Sequence, residues 1–358
     1  MKRNTYAVIM AGGIGSRFWP YSRAHHPKQF IDILDTGQSL IQMTNQRLLD
    51  ICPQENVYVV TNDSYYNLVR EHLPDMKDDQ ILLEPEGRNT APCIAYASYK
   101  IGQKDPKAVV VVSPADHIVM NEKQFSRILN KGVKEAGLND NLITIGIKPT
   151  RPEPGYGYIK FIKNNRSAVK KVKSFTEKPK LEKAKKFFNS GDYVWNAGIF
   201  IWNIDSIKNA FREQLPNIDK LFAKGAEAYY TKKEKAFIKK IYPKCESISI
   251  DYGIMQNANN VYVILGSFGW SDVGSWNSLY EIKKKDRNRN VIQANAMVYG
   301  ANECLIQGPP DKLIVVQGLK GYLVADCDNV ILICEKENEK QFRAYLRDVK
   351  AKKLTDYI

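Results

Sequence analysis

What this sequence lacks narrows the reading first. Its 358 residues include six cysteines: Cys52, Cys93, Cys245, Cys304, Cys327 and Cys334. No two form a C-x-x-C pair, and none stands near a histidine at zinc spacing. A disulfide-dense scaffold is excluded, and free thiols in a reducing compartment are the simplest expectation. No stretch approaches about 18 consecutive apolar residues, so no membrane span is expected. The amino-terminal MKRNTYAVIMAGG carries an apolar run too short for a signal segment, and it ends in glycines rather than a cleavage site. A cytoplasmic protein is therefore expected. Low-complexity segments and clear long-period repeats are missing, as is any persuasive nucleophile triad.

Acidic residues are also in short supply. Lys and Arg number 53 against 39 Asp and Glu, a formal charge of +14. Such an excess points to an anionic partner: nucleic acid, a membrane surface or a phosphorylated small molecule. Its distribution is uneven. Residues 160–186 hold eleven Lys or Arg and two acids, and residues 231–244 hold six Lys and one acid. These windows account for the whole excess, and the rest of the chain is balanced. Two lysine-rich solvated faces are the plain reading. No nucleic-acid module is recognisable, and no nucleic-acid partner is expected.

Hydrophobic residues at 44% and charged residues at 26% are those of an ordinary folded protein, and the length suits about two domains. Strand-like runs at 6–10, 56–60, 81–85, 108–112 and 142–147 alternate with helix-like segments near 39–51, 64–73, 90–102 and 122–137. That alternation predicts a parallel sheet with helices on both faces. Runs such as AVVVV (108–112) are apolar throughout, as strands buried on both sides are. After 150 the pattern becomes mixed, with helices near 181–190, 205–213 and 232–241. From about 290, short β segments separated by Gly, Asn and Asp turns lead to a final helix. A domain boundary is placed near 285, giving 1–285 and 286–358.

The first strand runs into Ala11-Gly12-Gly13-Ile14-Gly15-Ser16-Arg17-Phe18. Glycines at a strand end let backbone N–H groups approach a phosphate closely. Phe18 stands where a dinucleotide fingerprint needs glycine, and the P-loop Gly-Lys-Ser/Thr is missing. Pro27-Lys28-Gln29-Phe30 follows. An arginine that forks onto phosphate oxygens and a lysine point charge suit a triphosphate. Taken alone, Lys28 reads as an exposed loop lysine.

GGxGxR followed by PKQF resembles the signature of the sugar-phosphate nucleotidyltransferases. Further blocks match in order: EPEGRNTAP (84–92), SPADH (113–117), GYGYI (155–159), FTEKP (175–179), WNAGIF (195–200), SIDYGIMQ (249–256) and GWSDVGSW (269–276). RNTAP, PADH and SIDYGIMQ resemble the mannose-1-phosphate guanylyltransferase branch. The resemblance implies an α/β protein with a Rossmann-like mixed sheet and a small carboxy-terminal β-rich domain of left-handed β-helix type. It implies GTP and mannose 1-phosphate as substrates, GDP-mannose and pyrophosphate as products, one Mg2+ ion, and a homodimer. Transferase activity alone is expected, because the chain ends before an isomerase domain would fit.

Residue by residue, the resemblance assigns Gly12, Gly13, Gly15, Arg17 and Lys28 to the triphosphate. It assigns Glu84, Arg88, Asn89 and Thr90 to nucleotide binding. Asp116 and Asp272 become the metal carboxylates, Asp116 also touching the nucleotide. Gly157, Glu177, Lys178, Asn196 and Asp251 form the sugar-phosphate side. Arg17, Lys28, Asp116, Lys178 and Asp272 would carry catalysis. Without that context Asp116 reads as a loop or cap aspartate, Lys178 as a surface lysine, and Asp251 as a helix N-cap before YGIMQ. Trp195 and Trp270 read as packing residues, His25 and His26 as exposed loop residues, and His117 as structural rather than a metal ligand. Two alternatives remain: a transferase for another NTP or hexose 1-phosphate, and a non-catalytic regulatory homologue that binds the nucleotide sugar. The latter would be expected to lack some of the five catalytic residues, and all five are present.

Overall fold

The computed structural model describes residues 4–163 and 167–358, leaving aside the side chains of 339 and 340. Met1 to Arg3 of the leader reading, and Asn164 to Arg166 of the first basic window, lie outside the described residues. The chain divides into two compact units. One gathers Met1–Gly12 with Ile41–Trp270, the other Gly13–Leu40 with Ser271–Ile358, a different division from a single boundary near 285.

The larger unit is built on nine strands: β1 (Thr5–Met10), β2 (Val57–Asn62), β3 (Ile81–Glu84), β4 (Val109–Pro114), β5 (Leu142–Ile147), β6 (Tyr158–Phe161), β7 (Val169–Thr176), β8 (Tyr193–Asn203) and β9 (Val261–Gly266). Their order is β3-β2-β1-β4-β8-β5-β9-β7-β6, and β6 also pairs with β8. β1 to β4 are mutually parallel, as their unbroken apolar sequences predict. β5 does not join them directly. The antiparallel β8 lies between, with Val110 opposite Trp202 and Ile143 opposite Ile201. The sheet is therefore mixed, and the pairings β8-β5-β9-β7-β6-β8 close a circuit whose strands carry or adjoin the blocks GYGYI, FTEKP and WNAGIF.

Helices cover this sheet because their apolar positions recur at helical spacing. The helices used below are α1 (Leu40–Leu48), α2 (Tyr66–His72), α3 (Thr90–Lys104) and α4 (Glu122–Leu138). In α4 the side chain of Asn121 accepts from the Gln124 N–H, and Phe125, Ile128, Leu129, Val133 and Ala136 are buried. Each large apolar side chain so buried stabilises by about 1.5–3 kcal/mol. α3 starts where Asn89, at φ 67°, caps the Thr90 N–H with its side chain. All six lysines of the window 231–244 are exposed, the solvated face that its charge predicts.

In the smaller unit, the segment around the glycine loop packs with the carboxy-terminal residues. The buried Arg23 explains this grouping: its guanidinium donates to the carbonyls of Pro20 and Cys327 and to Asn329 Oδ1. Here β10 (Val291–Gln293), β12 (Leu305–Gln307) and β14 (Tyr322–Cys327) run parallel, as do β11 (Asn295–Tyr299) and β13 (Leu313–Gln317). β15 (Val330–Glu335) turns back antiparallel to β14, and a helix follows at Phe342–Ala351.

Candidate active site

In the larger unit, five residues assigned to the sugar-phosphate side come together at the closed strand circuit. Gly157 precedes β6, Glu177 and Lys178 follow β7, and Asn196 lies on β8. Asn196 Nδ2 donates to Asp251 Oδ1 at 2.7 Å, while its Oδ1 accepts from Thr144 Oγ1 at 2.7 Å and the Gly198 N–H at 3.2 Å. That inventory leaves the Asn196 amide one orientation. A Cβ on Gly157 would stand 2.4 Å from Glu177 Oε2, so any larger residue there would force the carboxylate to shift. Glu177 Oε1 pairs with Lys178 Nζ at 3.0 Å, with the glutamate side chain 5% exposed and the lysine 56%. Among the described residues, Glu177 Oε2 is buried without a hydrogen-bond partner.

The peptide carrying these two residues is held from both sides. Gln256 Oε1 accepts from the Glu177 N–H, and the Tyr252 hydroxyl donates to the Glu177 carbonyl. Lys178 takes a left-handed φ of 43°, an uncommon backbone region for a non-glycine residue. Burial pulls the Lys178 ammonium down, but Glu177 and Asp251 outweigh it and its pKa is raised. Burial first, and Glu177 second, push the Asp251 carboxyl up to about 7, with Lys178 and Asn196 pulling the other way. Asp251 is the first residue of a π-helical turn, Asp251–Met255, whose N-cap is Ile250. The alternative reading of Asp251 as an N-cap is therefore corrected: its carboxylate is engaged by Asn196. The block SIDYGIMQ contained the missed residues Tyr252 and Gln256, so the signal was present in the sequence.

Asp116 stands just past β4, at the carboxyl end where open α/β sheets present their ligand-binding groups. Its side chain is 36% exposed, and its Oδ1 lies 3.9 Å from His117 Nε2. At the end of β3, Glu84 is buried beside Gly12, whose added Cβ would lie 2.8 Å from Glu84 Oε2. Burial pushes the Glu84 carboxyl up to about 7, opposed by the hydrogen bond that Tyr242 donates to it. The block after it points elsewhere. Arg88 pairs with Glu86 and donates to the Pro243 carbonyl at 2.9 Å. Thr90 Oγ1 accepts from the Ile250 N–H at 2.9 Å. These bonds fasten the start of α3 to the chain leading into Asp251.

In the smaller unit, Gly15, Arg17, Lys28 and Asp272 lie together. Lys28 is 2% exposed and its Nζ donates to the Asp272 carbonyl at 2.7 Å, so the exposed-loop reading of Lys28 does not hold. A Cβ on Gly15, at φ 73°, would lie 2.5 Å from Lys28 Cβ. Asp272 Oδ1 accepts from the Gly274 N–H at 3.0 Å. A Cβ at Gly274 would meet Asp272 Oδ2 at 2.5 Å and the Arg17 guanidinium at 3.1 Å. Gly13 is exposed, and among the described residues nothing lies within 4 Å of a Cβ there. Among the described residues, no three or more His, Cys, Asp or Glu side chains gather as a metal cluster. No helix among them is long and apolar enough to cross a membrane.

A glycine loop with placed cations and carboxylates is chemistry that suits phosphorylated groups. The chain belongs to the nucleotidyl transferase family, whose model matches residues 6–289. It is 37% identical to the mannose-1-phosphate guanylyltransferase RfbM of Salmonella typhimurium (strain LT2), over 98% of this chain and 72% of that one. It is 32% identical to the alginate biosynthesis protein AlgA of Pseudomonas aeruginosa PAO1, over 96% of this chain and 72% of that one. A solved structure from Thermus thermophilus, described as a mannose-1-phosphate geranyltransferase, superposes with a TM-score of 0.88. It is 29% identical and matches over 97% of this chain and 99% of its own.

Proposed function

We propose that this chain transfers GMP from GTP to α-D-mannose 1-phosphate, giving GDP-mannose and pyrophosphate. The observation that carries the sugar-phosphate half is the cluster of Glu177, Lys178, Asn196 and Asp251, with Glu177 Oε2 buried and unpartnered. Such an oxygen is costly unless a ligand donates to it, and sugar hydroxyls are donors. Relatives named for mannose 1-phosphate supply the sugar and the base.

A phosphate oxygen of the sugar phosphate attacks the α-phosphorus of GTP. The bond from that phosphorus to the bridging oxygen breaks, and pyrophosphate leaves with the electron pair. Catalysis is positioning and charge neutralisation. Lys178 neutralises the attacking phosphate, and Glu177 and Asn196 orient the sugar. Arg17 and Lys28 take the charge of the leaving pyrophosphate, and Gly12, Gly13 and Gly15 give the triphosphate close backbone approach. Glu84, Arg88, Asn89 and Thr90 serve the nucleotide side. There Thr90 and Arg88 act by fastening backbone, as their hydrogen bonds to Ile250 and Pro243 indicate.

Asp116 and Asp272 offer hard, partly exposed carboxylate oxygens. Mg2+ takes one or two carboxylates and completes its shell from phosphates and water, so this donor chemistry fits it. Bound Mg2+ would supply Lewis-acid neutralisation of phosphate charge. The short parallel ladders β10-β12-β14 and β11-β13 support the β-helix-like reading of the tail, and a cytoplasmic homodimer completes the proposal. A coupled pyrophosphate-release assay crossing GTP, ATP, UTP and dTTP with mannose 1-phosphate and glucose 1-phosphate tests it. Release is expected with GTP and mannose 1-phosphate, and none with that pair overturns it.

A further inference from the structure

We infer that Trp270, acting through His117, is a positioning residue for the Asp116 carboxylate. This rests on the nucleotidyl-transfer role given to Asp116 above. The backbone around Asp116 is pinned on both sides. Ala115 N–H donates to the Met10 carbonyl at 3.0 Å, and Thr44 Oγ1 donates to the Ala115 carbonyl at 3.1 Å. Arg47 Nη2 donates to the His117 carbonyl at 2.7 Å. Thr44 and Arg47 are one helical turn apart on α1, and the Arg47 guanidinium also donates to the Thr44 hydroxyl. With the peptide so held, the orientation of the carboxylate depends on its side-chain neighbours.

His117 is such a neighbour, and Trp270 determines which of its atoms faces Asp116 as a donor. The indole Nε1–H is a donor only, and it is aimed at His117 Nδ1 at 3.2 Å. A neutral imidazole has one N–H, so with Nδ1 accepting, the hydrogen is on Nε2. Nε2 is the atom 3.9 Å from Asp116 Oδ1. That separation is longer than a direct hydrogen bond and is one that a small rotation or a bridging water spans. Without the indole N–H, the other tautomer would turn a lone pair toward the carboxylate.

The indole is itself held by an aromatic run. Its ring meets His117 nearly edge-on at 5.4 Å and Tyr156 at 5.4 Å, and Tyr156 meets Trp195 at 5.0 Å. Tyr156 and Trp195 adjoin Gly157 and Asn196 in sequence, so the run leads from Asp116 to the sugar-side cluster. Reading Trp270 as packing alone misses its N–H.

Trp270→Phe in the full chain keeps an aromatic ring and removes the donor. Partners of this kind typically change activity 10- to 100-fold. Expected are a fall in kcat of about ten-fold, KM for both substrates within about two-fold, and an unchanged melting temperature. The 15N shifts of the His117 ring should show Nε2–H in the parent and a tautomer mixture in the variant. His117→Gln, whose amide can donate from near the Nε2 position, should retain more turnover than His117→Phe. An unchanged kcat, an unchanged tautomer, or equal loss in the two His117 variants overturns the inference. Asp116→Asn separates the two ideas. If it keeps full turnover, the nucleotidyl-transfer role of Asp116 fails. If it is inactive while Trp270→Phe matches the parent, only the positioning inference fails.

Discussion

Gly157→Ala perturbs the sugar-side cluster by one methyl group. The new Cβ would stand 2.4 Å from Glu177 Oε2, 3.1 Å from Asn196 Cβ and 3.4 Å from Phe175 Cε1. Ordinary contact distances require the carboxylate oxygen to retreat by about 1 Å. Glu177 cannot retreat alone. Its N–H is bonded to Gln256, its carbonyl to Tyr252 and its Oε1 to Lys178, so the ammonium is displaced with it. Overpacking of this kind costs about 1–3 kcal/mol of stability. A 1 Å misplacement of a positioning group costs about 100-fold in rate. The expected result is a folded variant whose kcat/KM for mannose 1-phosphate falls about 100-fold while KM for GTP hardly moves. The assay is pyrophosphate release with the sugar phosphate varied at saturating GTP. A folded Gly157→Ala protein with parental kcat/KM for mannose 1-phosphate would refute the reasoning. Gly13→Ala is the counterpart. Its Cβ meets nothing within 4 Å, so melting is expected to be unchanged while KM for GTP rises.

Lys178→Ala should raise KM for mannose 1-phosphate more than KM for GTP, and equal effects would remove its assigned role. Asp116→Ala and Asp272→Ala should each abolish most turnover, read as pyrophosphate released at saturating substrates, without large changes in melting. Asp251 and Glu84 both have folded-state carboxyls raised to about 7, from 3.8 and 4.5. The folded state therefore keeps these protons longer than the unfolded one. The stability they contribute is complete below about pH 4 and lost as pH rises through 7. Melting temperature should fall between pH 5 and 8, and Asp251→Asn and Glu84→Gln should each flatten that fall.

The apolar runs made the parallel half of the sheet legible, since β1, β2, β3 and β4 lie where YAVIM, NVYVV, ILLEP and AVVVV predict strands. Periodicity could not place β8. Nothing local in its sequence YVWNAGIFIWN says that it separates β4 from β5. The residues that meet at the circuit were legible as motifs because each block carries polar or charged residues on a strand or turn of it. Thr44 and Arg47 were not, because their function is exerted through the carbonyls of Ala115 and His117, and carbonyls leave no mark on residue type. Lys28 was misjudged on its own because loop lysines are usually exposed, whereas this one is buried and donates to the Asp272 carbonyl.

The position of β8 has a consequence for biosynthesis. Residues 5–114 can assemble the four parallel strands as they leave the ribosome, but the flank of β4 that β8 covers stays bare until Asn203 has emerged. During that interval an unpaired strand edge, apolar over Val109–Val112, is open to other chains. A nascent chain arrested between β5 and β8 is thus the form most in need of a chaperone. Slowing translation over residues 148–192 should lower soluble yield more than slowing it after residue 266.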